Sequence, residues 1–275
     1  MNPTFFHSTM NLQGINIHYE LYEKHPEKPT MVLLHGFLSS TFSFRRLIPL
    51  LQEEFRIIAI DLPPFGKTEK SIRFVHSYSN MAKVVIELLE KLQVKNAILV
   101  GHSMGGQVSL YAAKERPELF KKVVLLCSSG YLKRMKHYMI CGSYVPYFYL
   151  CIKHWLSSQG VFKNLCNVVY DQSLIDQEMM DGYLQPFADD RIFMALTRMI
   201  RDREGDLSQE DLRKIEVPSL LIWGQEDKIV PVEVGRRMSK DLPNASLFEL
   251  AQTGHLVPEE RPLHVMDRIM NFSHA

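Results

Sequence analysis

The stretch Ala97-Ile98-Leu99-Val100-Gly101-His102-Ser103-Met104-Gly105-Gly106 constrains the fold more than any other part of the chain. Its first four residues are apolar and read as a short buried strand. They run into G-x-S-x-G with one further glycine, and residues 107–116 continue as a helix. A serine at such a strand-to-helix turn stands on a strained corner with its hydroxyl pushed above the sheet. Small neighbours are required because the strand and helix backbones pass close to it. Alone, the pentapeptide also fits a glycine-rich turn whose serine merely caps the helix. A base, an acid and an oxyanion site elsewhere in the chain decide between the two.

The flanking pattern is regular. Residues 14–22 alternate apolar and polar, as a half-exposed strand does, and Met31-Val32-Leu33-Leu34 is a continuous apolar run suited to a strand covered on both faces. That run ends in His35-Gly36-Phe37-Leu38, and a helix carrying Leu47, Leu50 and Leu51 follows. Residues 55–60 form another buried strand, closed by Asp61-Leu62-Pro63. Met81, Val84, Val85, Leu88, Leu89 and Leu92 give residues 78–92 one apolar helical face. Residues 123–127 are a further strand. Strands alternating with helices predict parallel βαβ units with right-handed crossovers.

The alternation stops after Ser129 and resumes at 217–224, followed by a helix (234–242), a strand (245–250) and a last helix (262–272). The expected architecture is an α/β core of residues 1–129 and 213–275, a mostly parallel central sheet flanked by helices, with a helical cap (lid) insertion at 130–212. Ligands of open α/β sheets bind outside the carboxyl ends of the strands. The insertion is therefore expected over the serine, and substrate-binding residues are expected within 130–212. Its aromatic residues Tyr138, Tyr144, Tyr147, Phe148, Tyr149, Trp155, Phe162, Phe187 and Phe193 are expected to divide between an apolar pocket and the insertion's own core, most of them structural.

Serine is a weak nucleophile at neutral pH and needs a base within hydrogen-bond reach. Of eleven histidines, His255 follows a strand on a Thr253-Gly254 turn before a helix, where loops converge with the serine turn. His264 falls inside the last helix and His274 at the terminus. His102 points the wrong way on so tight a turn to serve as base, and shapes the turn instead. The base in turn needs a carboxylate to hold its tautomer. Asp227 stands at the end of the strand closing in Trp223-Gly224, with Glu226 beside it as second candidate. The strand ending at Cys127 continues into Ser128-Ser129-Gly130 and offers no carboxylate. The oxyanion requires backbone N–H donors, and Met104 and Phe37 occupy the two places that the serine-turn pattern designates.

The chain order Ser103, Asp227, His255 is the Ser…Asp…His order of α/β-hydrolases. With Leu34-His35-Gly36-Phe37, Asp61-Leu62-Pro63, the Gly101–Gly106 motif, Trp223-Gly224-Gln225-Glu226-Asp227 with Pro231, and Gly254-His255, the sequence resembles lidded, cofactor-free α/β-hydrolase-fold serine hydrolases. The resemblance implies Ser103 as nucleophile, His255 as base, Asp227 as acid, Phe37 and Met104 as oxyanion donors, and neither cofactor nor metal. Pro64 departs from the glycine or arginine many relatives carry. Ser103 excludes the aspartate-nucleophile chemistry of related dehalogenases and epoxide hydrolases. Carbon–carbon hydrolases of aromatic-ring breakdown share the S-M-G-G turn, but often have an aromatic residue after the histidine and asparagine before the serine; here stand Leu256 and His102. Cofactor-free perhydrolases share the triad. The expected activity is hydrolysis of carboxylic esters of small to medium apolar acyl groups through an acyl-enzyme. The alternatives are carbon–carbon hydrolysis of vinylogous diketones and, from another class, ligand sensing on the same fold.

A formal net charge of +1 gives no basic excess for nucleic acid. The expected partner is a small-molecule ester or related carbonyl compound. Four cysteines without C-x-x-C spacing fit a reducing cytoplasm. The first seven residues lack a leader's basic and apolar regions. The charge-free run 138–152 contains Gly142 and Pro146 and falls short of the roughly 20 apolar residues a membrane span needs. A cytoplasmic protein without a membrane span is expected.

Overall fold

Eight strands form a single sheet in the computed structural model, which describes residues 5–274; residues 1–4, part of the stretch read for a leader, lie outside the described residues. The strands are β1 (Phe5–Leu12), β2 (Ile15–Tyr22), β3 (Thr30–Leu34), β4 (Arg56–Ile60), β5 (Ala97–His102), β6 (Phe120–Leu126), β7 (Ser219–Gly224) and β8 (Ala245–Leu250). Their order is β1-β2-β4-β3-β5-β6-β7-β8. β1 and β2 pair antiparallel, as do β2 and β4, and every later pairing is parallel. Apolar runs such as β3 and β5 become central strands because helices cover both their faces and leave no place for a polar side chain.

Two features of this sheet depart from the sequence reading. β1 carries no strong alternation and is largely exposed, yet it pairs with all of β2 across the tight turn Gln13-Gly14, where both residues have positive φ (49° and 78°). β2 is not half-exposed. His18 and Glu20, on its polar positions, are buried. Thr68 Oγ1 accepts from the His18 backbone N–H at 2.9 Å, and the Tyr22 hydroxyl donates to Glu20 at 2.9 Å, so the loop after β4 pairs the strand's backbone and a neighbouring ring partners the Glu20 carboxylate.

The helices are α1 (Ile48–Leu51), α2 (Tyr78–Lys91), α3 (Met104–Glu115), α4 (His137–Gly142), α5 (Phe148–Gln159), α6 (Val161–Val168), α7 (Gln177–Leu184), α8 (Arg191–Asp202), α9 (Gln209–Leu212), α10 (Val232–Asp241), α11 (Val257–Glu260) and α12 (Pro262–His274). α2 shows why they form where they do. Ser77 caps it by accepting from the Asn80 N–H at 3.1 Å, and Met81, Val84, Val85, Leu88 and Leu89 fall on one face and are buried. Each such side chain contributes about 1.5–3 kcal/mol by leaving water. α3 lies on β5 and β6, and α10 on β7 and β8.

Between β6 and β7 the chain runs through α4 to α9. α5 and α4 pack on α8, and α6 packs on α7. The excursion is pinched at its base, where Lys133 bridges Gly205 and the Asp206 N–H donates to the Leu132 carbonyl at 2.8 Å. Its α7 rests on the turn Thr41–Phe44, with the Phe42 ring edge-on to Tyr183 at 5.7 Å. A small apolar cluster joins Leu165, Val169 and Met179 to Leu256, the residue after His255.

Candidate active site

Ser103 sits between β5 and α3 with φ 52° and ψ −116°. A non-glycine residue held in so sparsely populated a region costs about 1–3 kcal/mol and persists only where its surroundings enforce it. Here they do. The Ser103 N–H donates to the Leu126 carbonyl at 3.0 Å, and its own carbonyl accepts from Gly106 N–H at 2.9 Å and Ser129 N–H at 3.0 Å. A Cβ on Gly105 would lie 2.2 Å from the Leu34 carbonyl oxygen, so only glycine lets α3 approach the end of β3 this closely. The same closeness brings the loop after β3 to the serine: a Cβ on Gly36 would stand 3.1 Å from Ser103 Cβ.

That loop is fixed by buried polar groups. The His35 ring accepts from Leu62 N–H at 2.9 Å through Nε2 and meets the Gly36 carbonyl at 2.7 Å through Nδ1. Burial pushes its pKa down, so the ring stays neutral. Asp61 accepts from the backbone N–H groups of Thr41 and Lys67, each at 2.8 Å, and so ties together the loops after β3 and β4. Among the described residues no group accepts the Phe37 N–H. The Met104 N–H belongs to the first residue of α3, ahead of the intrahelical ladder.

His255 and Asp227 are joined directly, Nδ1 to Oδ2, at 2.7 Å, and both are buried. The other carboxylate oxygen of Asp227 accepts from Ile229 N–H at 2.8 Å and Val230 N–H at 2.9 Å, which fixes the plane of the group. Glu226 is turned elsewhere. Its carboxylate accepts from the Thr253 N–H at 2.8 Å and braces the turn that carries His255. His102 Nε2 lies 2.9 Å from the His255 carbonyl oxygen, and the two imidazoles are 4.9 Å apart between centroids. Burial, with His255 alongside, pushes the His102 pKa down to about 3. His102 is therefore a neutral donor that pins the His255 backbone to the residue before Ser103.

Two participants escaped sequence reading. Glu260 accepts from Gly254 N–H at 3.0 Å and from Tyr170 N–H at 2.7 Å, while His255 N–H donates to the Val168 carbonyl at 2.7 Å. The histidine turn is thus clamped to the chain between α6 and α7. Burial raises the Glu260 pKa, against the pull of these N–H groups. Cys127, at φ 44° after β6, has its Sγ within 4.8 Å of the donor atoms of Asp227 and His255 and accepts from Gly224 N–H at 3.5 Å. Burial first, then Asp227, keeps this thiol protonated. The absent strand-end carboxylate was legible; a thiol leaning on Asp227 was not.

A cavity of about 520 Å³ meets this site at Phe37, while Ser103, Asp227 and His255 do not line it. Phe37 lines it from the core, and α5 and α8 supply most of the rest, with Ile152, Leu196 and Met199 prominent and Arg203 as the one charged group. Of the aromatic residues singled out in the insertion, only Phe148 and Trp155 line it. Phe193 is buried, Tyr149 and Phe187 pack against the core, and Tyr138, Tyr144, Tyr147 and Phe162 stand in solvent. The inward faces of these helices are lined instead by Met, Leu and Ile side chains, flexible enough to fill an irregular wall.

The mostly parallel sheet with helices on both faces is that of an α/β hydrolase. The chain matches the alpha/beta hydrolase fold model over residues 29–140 and 196–262, and it belongs to that family. It is 60% identical over 261 residues, 95% of either chain, to the protein called uncharacterized hydrolase YugF of Bacillus subtilis, and is itself a hydrolase. At 28% identity over 277 residues, 94% of this chain and 91% of the other, it is similar to a 2-hydroxy-6-oxononadienedioate/2-hydroxy-6-oxononatrienedioate hydrolase of Paraburkholderia phymatum. The 2-hydroxy-6-oxo-6-phenylhexa-2,4-dienoate hydrolase of a Rhodococcus strain shares its fold, with a TM-score of 0.80 at 23% identity over 98% of this chain and 99% of that one.

Proposed function

We propose that the chain hydrolyses carboxylic esters of small to medium apolar acyl groups through a serine acyl-enzyme, with residues 130–212 acting as a cap over the site. The observation that carries this reading is the buried 2.7 Å Asp227–His255 pair, tied through His102 to the strained Ser103 turn. With Nδ1 held by Asp227, His255 presents Nε2 as the base. Ser103 Oγ gives its proton to that nitrogen and attacks the carbonyl carbon. The Phe37 and Met104 N–H groups receive the developing oxyanion, and Asp227 stabilises the imidazolium. His255 then protonates the departing alcohol. In the second half it takes a proton from water, which attacks the acyl-enzyme and releases the acid. None of these steps calls on a cofactor.

The largely apolar cavity supports an apolar acyl group, and its size suits a short or medium chain. A second reading, carbon–carbon hydrolysis of a vinylogous diketone, draws on the 28% identical relative and would use the same three residues. The four cysteines are all free, which supports a cytoplasmic setting. Among the described residues no helix is long and apolar enough to cross a membrane. The test is hydrolysis of p-nitrophenyl esters of graded chain length, and of a vinylogous diketone, by the natural chain and by Ser103→Ala. Loss of about 10⁴-fold or more in kcat is expected for the variant. Undiminished turnover would overturn the assignment, and saturable binding without turnover in the natural chain would make it a sensor.

A further inference from the structure

The first part of the excursion above the sheet has a composition unlike the rest of the chain. Residues 130–170 contain no Asp or Glu and carry Lys133, Arg134, Lys136, Lys153 and Lys163; residues 171–190 reverse this, with six carboxylates and no Lys or Arg. Lys153 is paired with Asp190 at 2.5 Å, and the Arg134 guanidinium donates to the Arg201 carbonyl. Lys133, Lys136 and Lys163 are exposed, with no carboxylate within ion-pair distance among the described residues.

Apolar exposure is concentrated in the same segment. Of eighteen exposed large apolar side chains among the described residues, eight fall within 132–162. Single exposed apolar residues are ordinary, but such a concentration marks an interaction surface. Tyr147 is 71% exposed on a left-handed backbone (φ 64°) at the start of α5, a conformation bulky residues rarely adopt. Along α5, Leu150, Cys151, His154, Trp155 and Ser158 form an exposed stripe at helical spacing, while the helix packs on α8. Cys151 and Trp155 belong both to this stripe and to the cavity wall, so the cavity opens onto the exposed surface.

We propose that α4, α5 and the start of α6 dock on an anionic phospholipid bilayer, with Tyr147, Trp155 and Phe162 in the headgroup boundary and Lys133, Lys136 and Lys163 against lipid phosphates. Aromatic and aliphatic side chains among uncompensated lysines are the makeup of interfacial helices. A second copy is a poorer occupant, because a two-fold contact sets identical basic surfaces against each other. That the cavity then receives an acyl chain from the membrane rests on the esterase reading; the docking itself does not.

The chain carries its own reporter. It has two tryptophans, Trp155 at 60% exposure and Trp223 fully buried. The full chain is titrated with phosphatidylcholine vesicles, with and without phosphatidylglycerol, at low and high salt. Expected are a blue shift and quenching by brominated acyl chains with phosphatidylglycerol at low salt only. Vesicle partitioning falls on the order of a hundredfold in the triple variant Lys133→Glu, Lys136→Glu, Lys163→Glu, with its melting temperature unchanged. Ser103→Ala must bind vesicles like the natural chain, so this result and the ester assay fail independently. Absence of a shift with phosphatidylglycerol at low salt overturns the proposal. So does undiminished partitioning of the triple variant, or a Trp155 shift that follows protein concentration without vesicles, the signature of self-association through this face.

Discussion

His102→Asn should weaken the protein at neutral pH and strengthen it at acid pH. In the folded chain His102 is buried and neutral, with its pKa pushed from 6.5 down to about 3. The unfolded chain protonates the same ring below 6.5. Unfolding therefore takes up a proton anywhere between the two values, and stability falls as pH falls through that window, by about 1.4 kcal/mol per unit. Above 6.5 this contribution vanishes. Asn has no such titration. It shortens the side chain and weakens the bond to the His255 carbonyl, a loss of about 1.5 kcal/mol at pH 7. At pH 4.5, two units below the unfolded value, the natural chain carries a penalty of about 2.7 kcal/mol that the variant lacks. The two curves should cross near about pH 5.5. His35 and His76 are also depressed by burial, but they are present in both chains and cancel in the difference. Urea unfolding at pH 7.0, 5.5 and 4.5 measures it. A stability difference of constant sign and size across that range would refute the reasoning, because it would mean that His102 titrates alike in both states.

Three further outcomes follow from the site's packing. Glu260→Ala leaves the Gly254 and Tyr170 N–H groups without their carboxylate, at about 1–3 kcal/mol each. By loosening the histidine turn it should lower kcat ten- to a hundredfold (an order-of-magnitude figure) with little change in KM; natural kcat at reduced melting temperature would confine Glu260 to a stabilising role. Gly105→Ala places a methyl 2.2 Å from the Leu34 carbonyl, backbone that cannot swing aside, and should cost more than about 3 kcal/mol by thermal unfolding, whereas a natural Tm would deny the close approach. Leu196→Trp fills the cavity wall and should shift p-nitrophenyl ester preference toward shorter acyl chains; an unchanged chain-length profile would mean that the acyl group lies elsewhere.

Apolar runs locate β3 to β7 because a strand covered on both faces has room for little else, while the partly exposed edge strand Ala245–Leu250 emerges with the bounds read from its residues. β1 was invisible because an exposed edge strand needs no apolar pattern. The polar positions of β2 misled because the loop at Thr68, 50 residues away, pairs the strand's backbone and Tyr22 partners Glu20. The aromatic residues of 130–212 divide between the cavity wall (Phe148, Trp155) and packed positions (Tyr149, Phe187, Phe193), but four others stand in solvent, because residue type alone does not tell which face of a helix turns inward.

By itself, the order of residues determined an alternating α/β chain with a serine on a glycine-flanked corner, and histidine and aspartate at later strand ends. These follow from local rules: side-chain periodicity, and the short list of residues a tight turn tolerates. The tertiary structure alone decided that Glu226 and Glu260 brace the turn of His255, and that Cys127 leans on Asp227. Each depends on where loops from β6, β7, β8 and the excursion converge. That is set by the strand order of the sheet, through contacts between residues as far apart as His102 and His255, and spacing along the chain carries no record of it.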